Sequence, residues 1–273
     1  MIKATLSGII IKTNEIDTEE AMPRFFIRQQ QIDNDTVRLV GDDAHHIARS
    51  LRMAVGDELT VCDMQGNQYE CVVESFEDDK AVNARIISRS HADTEPRCKI
   101  TLFQALPKGD KLDTVIQKAV ECGACEIVPF ESERCVVRVK AEAEERKTER
   151  RCRIAAEAAK QSGRGILPTV YPTVSFDEML RMASSSTVKL FCYEGDGTQP
   201  LGKVLSERLV KGEQGEYPDV CVVIGSEGGF SLDEVRRAVE AGLVPVGLGK
   251  RILRTETAPL FALSCIVFVT ELN

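Results

Sequence analysis

The sequence predicts a two-domain protein in which a small β-barrel domain precedes an α/β domain built on a parallel sheet. Its length of 273 residues is enough for two domains that each bury a core. Short β-rich segments dominate residues 25–88, whereas continuous apolar strands alternate with amphipathic helices from residue 100 onward. Residues 89–98 are polar, include Pro96 and lack an apolar rhythm, so we expect them to form the linker.

The first unit is predicted to span residues 22–88, because residues 1–21 end in an acidic run and show little periodicity. We expect residues 1–21 to form an extension outside the core fold. Predicted strands cover residues 25–28, 36–40, 58–63, 69–75 and 81–87, and one helix is expected over residues 42–53. This pattern is typical of a small barrel with a single helix.

The second unit is predicted to span residues 99–273. Predicted strands cover residues 100–105, 126–130, 188–193, 220–225 and 244–248, and predicted helices cover residues 111–122, 141–161, 176–183, 232–241 and 259–272. Two helix starts carry the Ser-x-x-Glu pattern of a capping box, Ser175 with Glu178 and Ser231 with Glu234. Apolar strands between amphipathic helices indicate a parallel sheet covered on both faces.

Composition and charge restrict the function classes. No apolar run approaches the roughly 18 residues of a membrane span, and we expect a cytoplasmic protein. The net charge of −8 argues against a nonspecific nucleic-acid binder, although basic residues outnumber acidic ones over residues 134–164. That segment allows a basic face, but a solvated helix with ion pairs four residues apart explains it equally well.

The ten cysteines do not form a metal-binding pattern. Only Cys122 and Cys125 have C-x-x-C spacing, and the three histidines, His45, His46 and His91, lie far upstream. A structural zinc site is therefore the disfavoured alternative. We expect free, half-buried thiols in a reducing compartment and no metal.

Three loops follow the carboxyl ends of predicted strands, where parallel sheets bind their ligands. They are EGDG at residues 194–197, GSEGGF at residues 225–230 and GLGKRILRTETA at residues 247–258. Glycine in such loops allows backbone amides to approach a ligand closely. The second loop has neither the dinucleotide fingerprint nor the Lys-Ser/Thr pair of a phosphate-binding loop, and alone it indicates a structural turn as often as a ligand loop.

The third loop favours a ligand site. Leu248, Ile252 and Leu253 would place apolar side chains among exposed backbone groups, which suits a neutral adenine and a thioether. Thr255 or Thr257 can cap the last helix, which tolerates Pro259 in its first turn. Arg254 is then expected at the mouth of the site.

Two segments together, IGSEGGFSLDEV at residues 224–235 and LGKRILRTETA at residues 248–258, resemble the paired signature of the SPOUT methyltransferases. Further matches are MPRFF from Met22, HHIARSLRMAVGD at residues 45–57, ALPKGDKLDTVIQKAVECG at residues 105–123 and EAAKQSGR at residues 157–164. Within that superfamily, residues 22–273 resemble the ribosomal small subunit methyltransferase E family. Ser226 departs from the pattern, since many relatives carry proline there.

The resemblance implies a C-terminal parallel-sheet SPOUT domain with a deep trefoil knot, preceded by a PUA-like RNA-binding β-barrel. It also implies methylation of N3 of a uridine in 16S ribosomal RNA with S-adenosylmethionine as cofactor. The cofactor is expected to lie bent in the knot, held mainly by backbone groups. The implied cofactor-binding residues are Tyr193, Ile224, Gly225, Gly228, Gly229, Leu248, Gly249, Ile252, Leu253, Thr257 and Ala258.

Arg254 is the expected catalytic residue, because an arginine among glycines and small residues beside a sheet edge is seldom part of a core.

The expected RNA-binding residues on the barrel are Arg24, Arg28, His46, Arg49 and Arg52. His46, Arg49 and Arg52 or Met53 are predicted to share a helix face suited to phosphate contacts, and a solvated face is the competing interpretation.

The expected partners are 16S ribosomal RNA or the assembled small subunit, and a second copy of the chain. The last helix is apolar on more than one face, which is typical of a dimer interface or of a fully buried helix.

Methylation of another ribosomal or transfer RNA nucleotide and a noncatalytic RNA-binding role remain alternatives. A Rossmann-type oxidoreductase is disfavoured because its glycine fingerprint is missing.

Overall fold

The computed structural model describes residues 22–78, 80–138 and 141–272, which form two sheets with separate hydrophobic cores. The expected extension of residues 1–21 lies outside the described residues. In the part of the chain that is described, no helix is long and apolar enough to cross a membrane.

The N-terminal sheet has six strands around one small core. Its strands are β1 (Arg24–Phe26), β2 (Ile32–Asp33), β3 (Thr36–Val40), β4 (Glu58–Cys62), β5 (Asn67–Glu77) and β6 (Ala81–His91), in the order β1-β4-β5-β6-β3-β2. β1 pairs in parallel with β4, and the other pairings are antiparallel. In β3, Val37 and Leu39 point into the core while their neighbours are more exposed, which is the alternation that one buried face requires.

The single helix of this sheet is shorter than predicted. α1 (Asp42–His45) continues as one π-helical turn, His46–Ser50, and Arg52 beyond it has a φ of 54°. Such a positive φ lies outside the helical region, so the helix ends before Arg52. The prediction of a helix over residues 42–53 is therefore wrong in its last turn, and Arg52 does not share a helix face with His46 and Arg49.

The C-terminal sheet has eight strands, and all its described pairings are parallel. The strands are β7 (Ile100–Ala105), β8 (Glu126–Glu131), β9 (Thr169–Val170), β10 (Val174–Ser175), β11 (Val188–Cys192), β12 (Gln199–Pro200), β13 (Val220–Ile224) and β14 (Val244–Gly247). Their order is β10-β8-β7-β13-β11-β14-β12, with β9 also on β8. Every residue of the central strands β7 and β13 is buried, as the predicted coverage of both faces requires.

Six helices cover this sheet: α2 (Lys111–Glu121), α3 (Ala141–Gln161), α4 (Phe176–Ala183), α5 (Leu201–Arg208), α6 (Leu232–Glu240) and α7 (Ala258–Val267). Ser231 and Glu234 form the predicted capping box at α6. At α4 only half of the predicted box forms, because Ser175 accepts from the Glu178 amide while the Glu178 carboxylate pairs with Arg181. The sequence analysis missed α5, which has no side-chain N-cap and contains Gly202.

The start of α7 also differs from the prediction. Thr257 occupies the N-cap position but makes no side-chain cap hydrogen bond, and Pro259 lies in the first turn as expected. The Thr255 hydroxyl does not cap the helix because it donates to the carbonyl of Gly225 instead. Neither threonine therefore caps α7 with its side chain, and the capping prediction was wrong for both.

The strand order of the C-terminal sheet is interleaved. β14 lies between β11 and β12, although these two strands follow one another along the chain. The trefoil knot itself stays a prediction from the resemblance.

The segment expected to be the linker begins as strand. β6 continues to His91, which pairs with Asn67, and Arg89 Nη2 donates to Asp35 Oδ1 at 2.6 Å. These ladder and ion-pair contacts extend the sheet three residues past the predicted boundary at residue 88.

The following residues are fixed to the C-terminal sheet by a buried ion pair. Arg164, which is 3% exposed, donates to the Glu95 carboxylate at 2.6 Å and to the carbonyls of Val120 and Ala124 at 3.1 Å. Glu95 also accepts from the amide of Gly165 at 2.9 Å. Because both charged groups have several partners, the linker around Glu95 is anchored to the C-terminal unit.

A second contact joins α3 to the N-terminal sheet. Lys160 Nζ lies 3.5 Å from Asp43 Oδ1 and 5.3 Å from the centre of the Phe25 ring. Burial between the two units raises the pKa of Asp43, and the charge of Lys160 partly offsets this effect. Helix α3 therefore contacts the N-terminal unit through a charged group and an aromatic ring.

Candidate functional site

A cleft of about 820 Å³ opens at the carboxyl ends of β11, β13 and β14. The three loops singled out in the sequence line it, together with Lys111 at the start of α2 and Arg134 after β8. Small-molecule sites usually measure roughly 300–1,000 Å³ and lie at this edge of parallel sheets. The cleft therefore has the size and place of a ligand site.

Glycines keep the cleft open for two different reasons. Gly229 has a φ of 63° and Gly249 a φ of 110°, and no atom lies within 4 Å of where a Cβ would stand at either residue. Their backbone conformations, not their surroundings, disfavour other residues. At Gly225 a Cβ would lie 3.0 Å from the Phe230 ring, so close packing excludes a side chain there.

Gly228 is restricted by the protein and not only by a ligand. A Cβ at this position would lie 3.0 Å from both Cβ and the carbonyl oxygen of Arg134. Arg134 Nη1 in turn donates to the Gly228 carbonyl at 3.2 Å. The glycine loop is thus pressed against the segment that follows β8, and Arg134 borders the cleft.

Two side chains and one carbonyl tie the second and third loops to β7. Gln104 is fully buried, and its Nε2 donates to Thr255 Oγ1 at 3.1 Å. Thr255 Oγ1 donates onward to the Gly225 carbonyl at 2.7 Å. This chain of hydrogen bonds fixes the floor of the cleft.

Charged groups close one side of the cleft. Lys111 Nζ lies 2.8 Å from Glu227 Oε1 and 3.3 Å from Glu256 Oε2, and the Lys108 amide donates to Glu227 at 3.2 Å. Burial works against ionisation of Glu227, but the hydrogen bonds from Lys111 and from backbone amides outweigh it and lower its pKa. The hydrogen bond to Glu227 also raises the pKa of Lys111.

Arg254 lies exposed at the rim. Its carbonyl accepts from the amides of Thr257 and Ala258 at 2.8 and 2.9 Å, which holds its backbone at the start of α7. Across residues 22–78, 80–138 and 141–272, no carboxylate forms an ion pair with its guanidinium. Arg254 is therefore available to a ligand.

Cys192 and Tyr193 form the wall at the end of β11. Burial raises the pKa of the Cys192 thiol to about 12, so this thiol is not ionised at neutral pH and is a poor nucleophile. The Tyr193 ring lies against Gly195, where a Cβ would come within 2.0 Å of the ring. All ten cysteines have free thiols.

Most of the expected cofactor-binding residues meet in this cleft. The lining includes Tyr193, Ile224, Gly225, Gly228, Gly229, Leu248, Gly249, Ile252, Leu253 and Ala258, together with Arg254. Thr257 is not among the lining residues; it occupies the N-cap position of α7, and its side chain is exposed. Leu248 and Leu253 also pack against the core, whereas Ile252 is 85% exposed at the rim.

The sequence analysis missed four functional candidates that the fold brings to the cleft: Lys111, Arg134, Thr198 and Glu227. Lys111 and Arg134 follow the carboxyl ends of β7 and β8, so the strand-end rule used for the other loops could have found them. Glu227 lies inside the glycine loop, between glycines that were predicted to contact a ligand.

The expected RNA-binding residues differ in their surroundings and in their exposure. Arg24 Nη1 donates to Cys62 Sγ at 2.9 Å and to Gln68 Oε1 at 3.1 Å, so its guanidinium is engaged within the N-terminal sheet. The His46 ring packs edge-on against Phe25 at 6.2 Å. Arg28, Arg49 and Arg52 are exposed.

The basic segment of residues 134–164 is largely paired. Arg150 lies 2.6 Å from Asp113, Arg151 lies 3.2 Å from Glu144, and Arg164 makes the buried pair with Glu95. These pairs neutralise part of the positive charge of the segment, but none of the three joins residues four apart, so both interpretations of the basic segment stay open.

Comparisons with known proteins agree with this architecture. A family model described as "RNA methyltransferase domain" matches residues 94–267, and one described as "RNA methyltransferase PUA domain" matches residues 39–87. The "Ribosomal RNA small subunit methyltransferase E" of Bacillus subtilis is 37% identical over 254 residues, which cover 92% of this chain and 98% of that protein.

Two solved structures resemble the fold closely. A ribosomal RNA small subunit methyltransferase E from Neisseria gonorrhoeae bound to S-adenosyl methionine gives a TM-score of 0.77 at 31% identity, covering 91% of this chain and 98% of that one. A putative methyltransferase from Legionella pneumophila with bound S-adenosylmethionine gives a TM-score of 0.78 at 31% identity, covering 90% and 96%.

Proposed function

Because the chain belongs to the ribosomal RNA small subunit methyltransferase E family, we propose that it transfers a methyl group from S-adenosylmethionine to N3 of a uridine in 16S ribosomal RNA. The observation that carries the proposal is the cleft at the carboxyl ends of β11, β13 and β14, with the unpaired Arg254 at its mouth. The expected setting is the cytoplasm, where small ribosomal subunits are found.

The residues of the cleft fit the cofactor. Leu248 and Leu253 offer apolar surface beside backbone donors and acceptors, which suits an adenine ring. Gly229 and Gly249 leave open space in which a ligand can approach the backbone. Backbone groups around Leu248, Leu253 and Ala258 would hold the adenine, with the glycine loop on the opposite side. S-adenosylmethionine supplies a methyl group that the positive charge on its sulfur activates.

The chemistry at the uridine requires a proton to leave. N3 of uracil carries a hydrogen at neutral pH, so the new N–CH₃ bond replaces an N–H bond, and the proton passes to a base or to water. The S–CH₃ bond of the cofactor would break in the same step, and its electron pair would stay on the sulfur of the leaving S-adenosylhomocysteine. In this proposal Arg254 orients the base and offsets the negative charge that develops on it. Its guanidinium stays protonated, so it cannot accept that proton.

Direct methyl transfer to nitrogen, without a covalent adduct, agrees with the raised pKa of the Cys192 thiol. Methylation at a pyrimidine carbon through a covalent adduct needs an ionised thiol as the nucleophile. Burial keeps the Cys192 thiol protonated, with a pKa of about 12. The high pKa of Cys192 therefore gives no support to a covalent route through this thiol.

We propose that the exposed arginines of the N-terminal sheet, Arg28, Arg49 and Arg52, contact the RNA backbone, with His46 and Arg24 at the edge of the same surface. The substrate is 16S ribosomal RNA or the assembled small subunit. The target uridine must leave its stack to reach the cleft, because N3 is shielded within a paired helix.

We further propose a homodimer through the C-terminal domain. Phe261 on α7 is 39% exposed. Phe268 and Leu272 lie just after the end of α7 and are 55% and 72% exposed. The opposite face, with Ala262, Leu263 and Ile266, packs into the core. A helix that is buried on one face and apolar on the other suits a second copy of the chain.

Mass spectrometry of 16S ribosomal RNA from a deletion strain tests the proposed reaction. We expect the loss of one methyl group from one uridine, restored by the wild-type gene but not by Arg254→Ala. A methyl group lost from transfer RNA or from another nucleotide would replace the proposed substrate. Failure of the purified protein to bind S-adenosylmethionine in calorimetry would instead favour a noncatalytic RNA-binding role.

A further inference from the structure

Ser226 carries a buried hydroxyl without a partner. The residue lines the cleft, is 8% exposed, and its Oγ has no hydrogen-bond partner in the described part of the chain. Its carbonyl is occupied, because it accepts from the Gly229 amide at 2.9 Å. The turn is therefore held by backbone groups, and the hydroxyl takes no part in it.

Unpartnered buried polar atoms are uncommon and cost free energy, so each one calls for a physical reason. Three other side chains have such an atom, namely Gln104, Glu144 and Glu256. Each of them is engaged in another way: Gln104 through Nε2, Glu144 through Oε1, and Glu256 through the nearby ammonium of Lys111. Ser226 differs because its single side-chain polar atom has no partner at all among the described residues.

Ser231, five positions further along, provides the contrast. It is also 8% exposed, but its Oγ accepts from the Glu234 amide at 3.3 Å and caps α6. Ser231 does not line the cleft. Two serines of equal burial in one segment thus differ in whether the protein itself uses the hydroxyl.

We infer that the Ser226 hydroxyl donates a hydrogen bond to an oxygen of bound S-adenosylmethionine, either a ribose hydroxyl or the carboxylate. The inference rests on the proposed cofactor and adds a side-chain contact to a site otherwise lined largely by backbone. A hydroxyl is both donor and acceptor and can rotate toward its partner, so binding would satisfy a group that the free protein leaves unpaired. Lys111 and Arg134 line the same cleft but are already engaged with Glu227 and with the Gly228 carbonyl.

Calorimetric titration of the full chain with S-adenosylmethionine, combined with thermal unfolding of the free protein, tests this contact. We expect Ser226→Ala to weaken binding roughly three- to tenfold, the effect of one lost hydrogen bond, without lowering the melting temperature. Ser231→Ala is the matched control, because it should lower the melting temperature and change cofactor affinity less than twofold or so.

Two further ligands identify the acceptor. 5′-Methylthioadenosine has the ribose but no carboxylate, whereas S-adenosylhomocysteine has both. Equal weakening for the two ligands by Ser226→Ala assigns the contact to the ribose, and weakening for S-adenosylhomocysteine alone assigns it to the carboxylate. Unchanged affinity of Ser226→Ala for every ligand, or a lowered melting temperature matching that of Ser231→Ala, overturns the inference. Absence of binding by the wild-type protein would overturn the proposed function itself.

Discussion

The hydroxyl of Thr255 donates a 2.7 Å hydrogen bond to the carbonyl of Gly225, which joins the two loops that form the cleft. The same oxygen accepts from Gln104 on β7 at 3.1 Å. One hydroxyl thus connects three segments that are far apart in the sequence. Its loss should affect both the stability of the fold and the shape of the cleft.

Thr255→Val should lower the free energy of unfolding by about 1–3 kcal/mol, because it leaves the buried Gly225 carbonyl and the Gln104 amide without their partner. Cofactor affinity should fall as well, since the two loops lose their link. Thr257→Val is the control, because the exposed Thr257 makes no cap hydrogen bond and its replacement should change stability by less than about 0.5 kcal/mol. Urea unfolding measures both variants, and equal effects would show that the Thr255 hydroxyl contributes nothing.

Arg254→Ala should separate chemistry from cofactor binding. The Arg254 side chain is exposed at the rim and forms no ion pair with the described residues, so its removal should lower methyl transfer roughly a hundredfold or more while S-adenosylmethionine affinity stays within a few-fold. Arg254→Lys should recover little, because a point charge does not reproduce the planar pair of donors. Single-turnover rates and calorimetry measure the two properties. Loss of cofactor binding by a folded Arg254→Ala protein would place the residue in the cofactor pocket.

The pairing of Glu227 with Lys111 predicts a pH dependence of stability. The folded state lowers the pKa of Glu227 below its ordinary value of 4.5, so it binds this proton less readily than the unfolded chain does. The stabilisation is therefore fully present above about pH 4.5 and is lost as the pH falls through the lowered pKa. The difference in unfolding free energy between wild type and Glu227→Gln should shrink over that acidic range in urea titrations. A difference that stays constant with pH would show that the charge of Glu227 has no role.

Gly228→Ala should destabilise the fold even without a ligand. Its Cβ would meet the backbone of Arg134 at 3.0 Å, so the glycine loop or the segment after β8 must shift, at a cost of about 1–3 kcal/mol. Gly202→Ala in α5 is the matched control, because no atom lies within 4 Å of its Cβ position and alanine favours a helix by roughly 0.5–1 kcal/mol. Opposite changes in melting temperature are expected, and a stabilised Gly228→Ala protein would contradict the contact with Arg134.

Phe268→Glu should produce monomers if α7 and its continuation form the dimer interface. The side chain is 55% exposed, so the charge disturbs no core packing, but it would be buried without a partner between two copies. Val239→Glu, on the exposed face of α6 with 49% exposure, is the control and should keep the wild-type mass. Light scattering at micromolar concentration measures the mass, and a monomeric wild-type protein would rule out the interface.

The sequence by itself determined the elements whose signals are local. β7, α3 and α4 begin and end at the predicted residues, because apolar period and helix-start signals depend only on near neighbours. The glycine-rich loops at strand ends marked the cleft for the same reason, since parallel strands bring their carboxyl ends to one edge. Local signals do not fix every boundary. The helix predicted over residues 42–53 extends too far, because the positive φ of Arg52 has no local sequence signal.

The tertiary structure alone decided which side chains work together at the cleft. Gln104 and Thr255 are 151 residues apart, Lys111 and Glu227 are 116 apart, and Arg134 and Gly228 are 94 apart. A residue's periodicity indicates which face of its element it occupies but not which distant residue will face it. Hydrogen bonds and ion pairs require their atoms within about 3–4 Å, a condition that only the packing of strands and loops can set. For that reason the free hydroxyl of Ser226 and the engaged guanidinium of Arg24 became visible only in the folded chain.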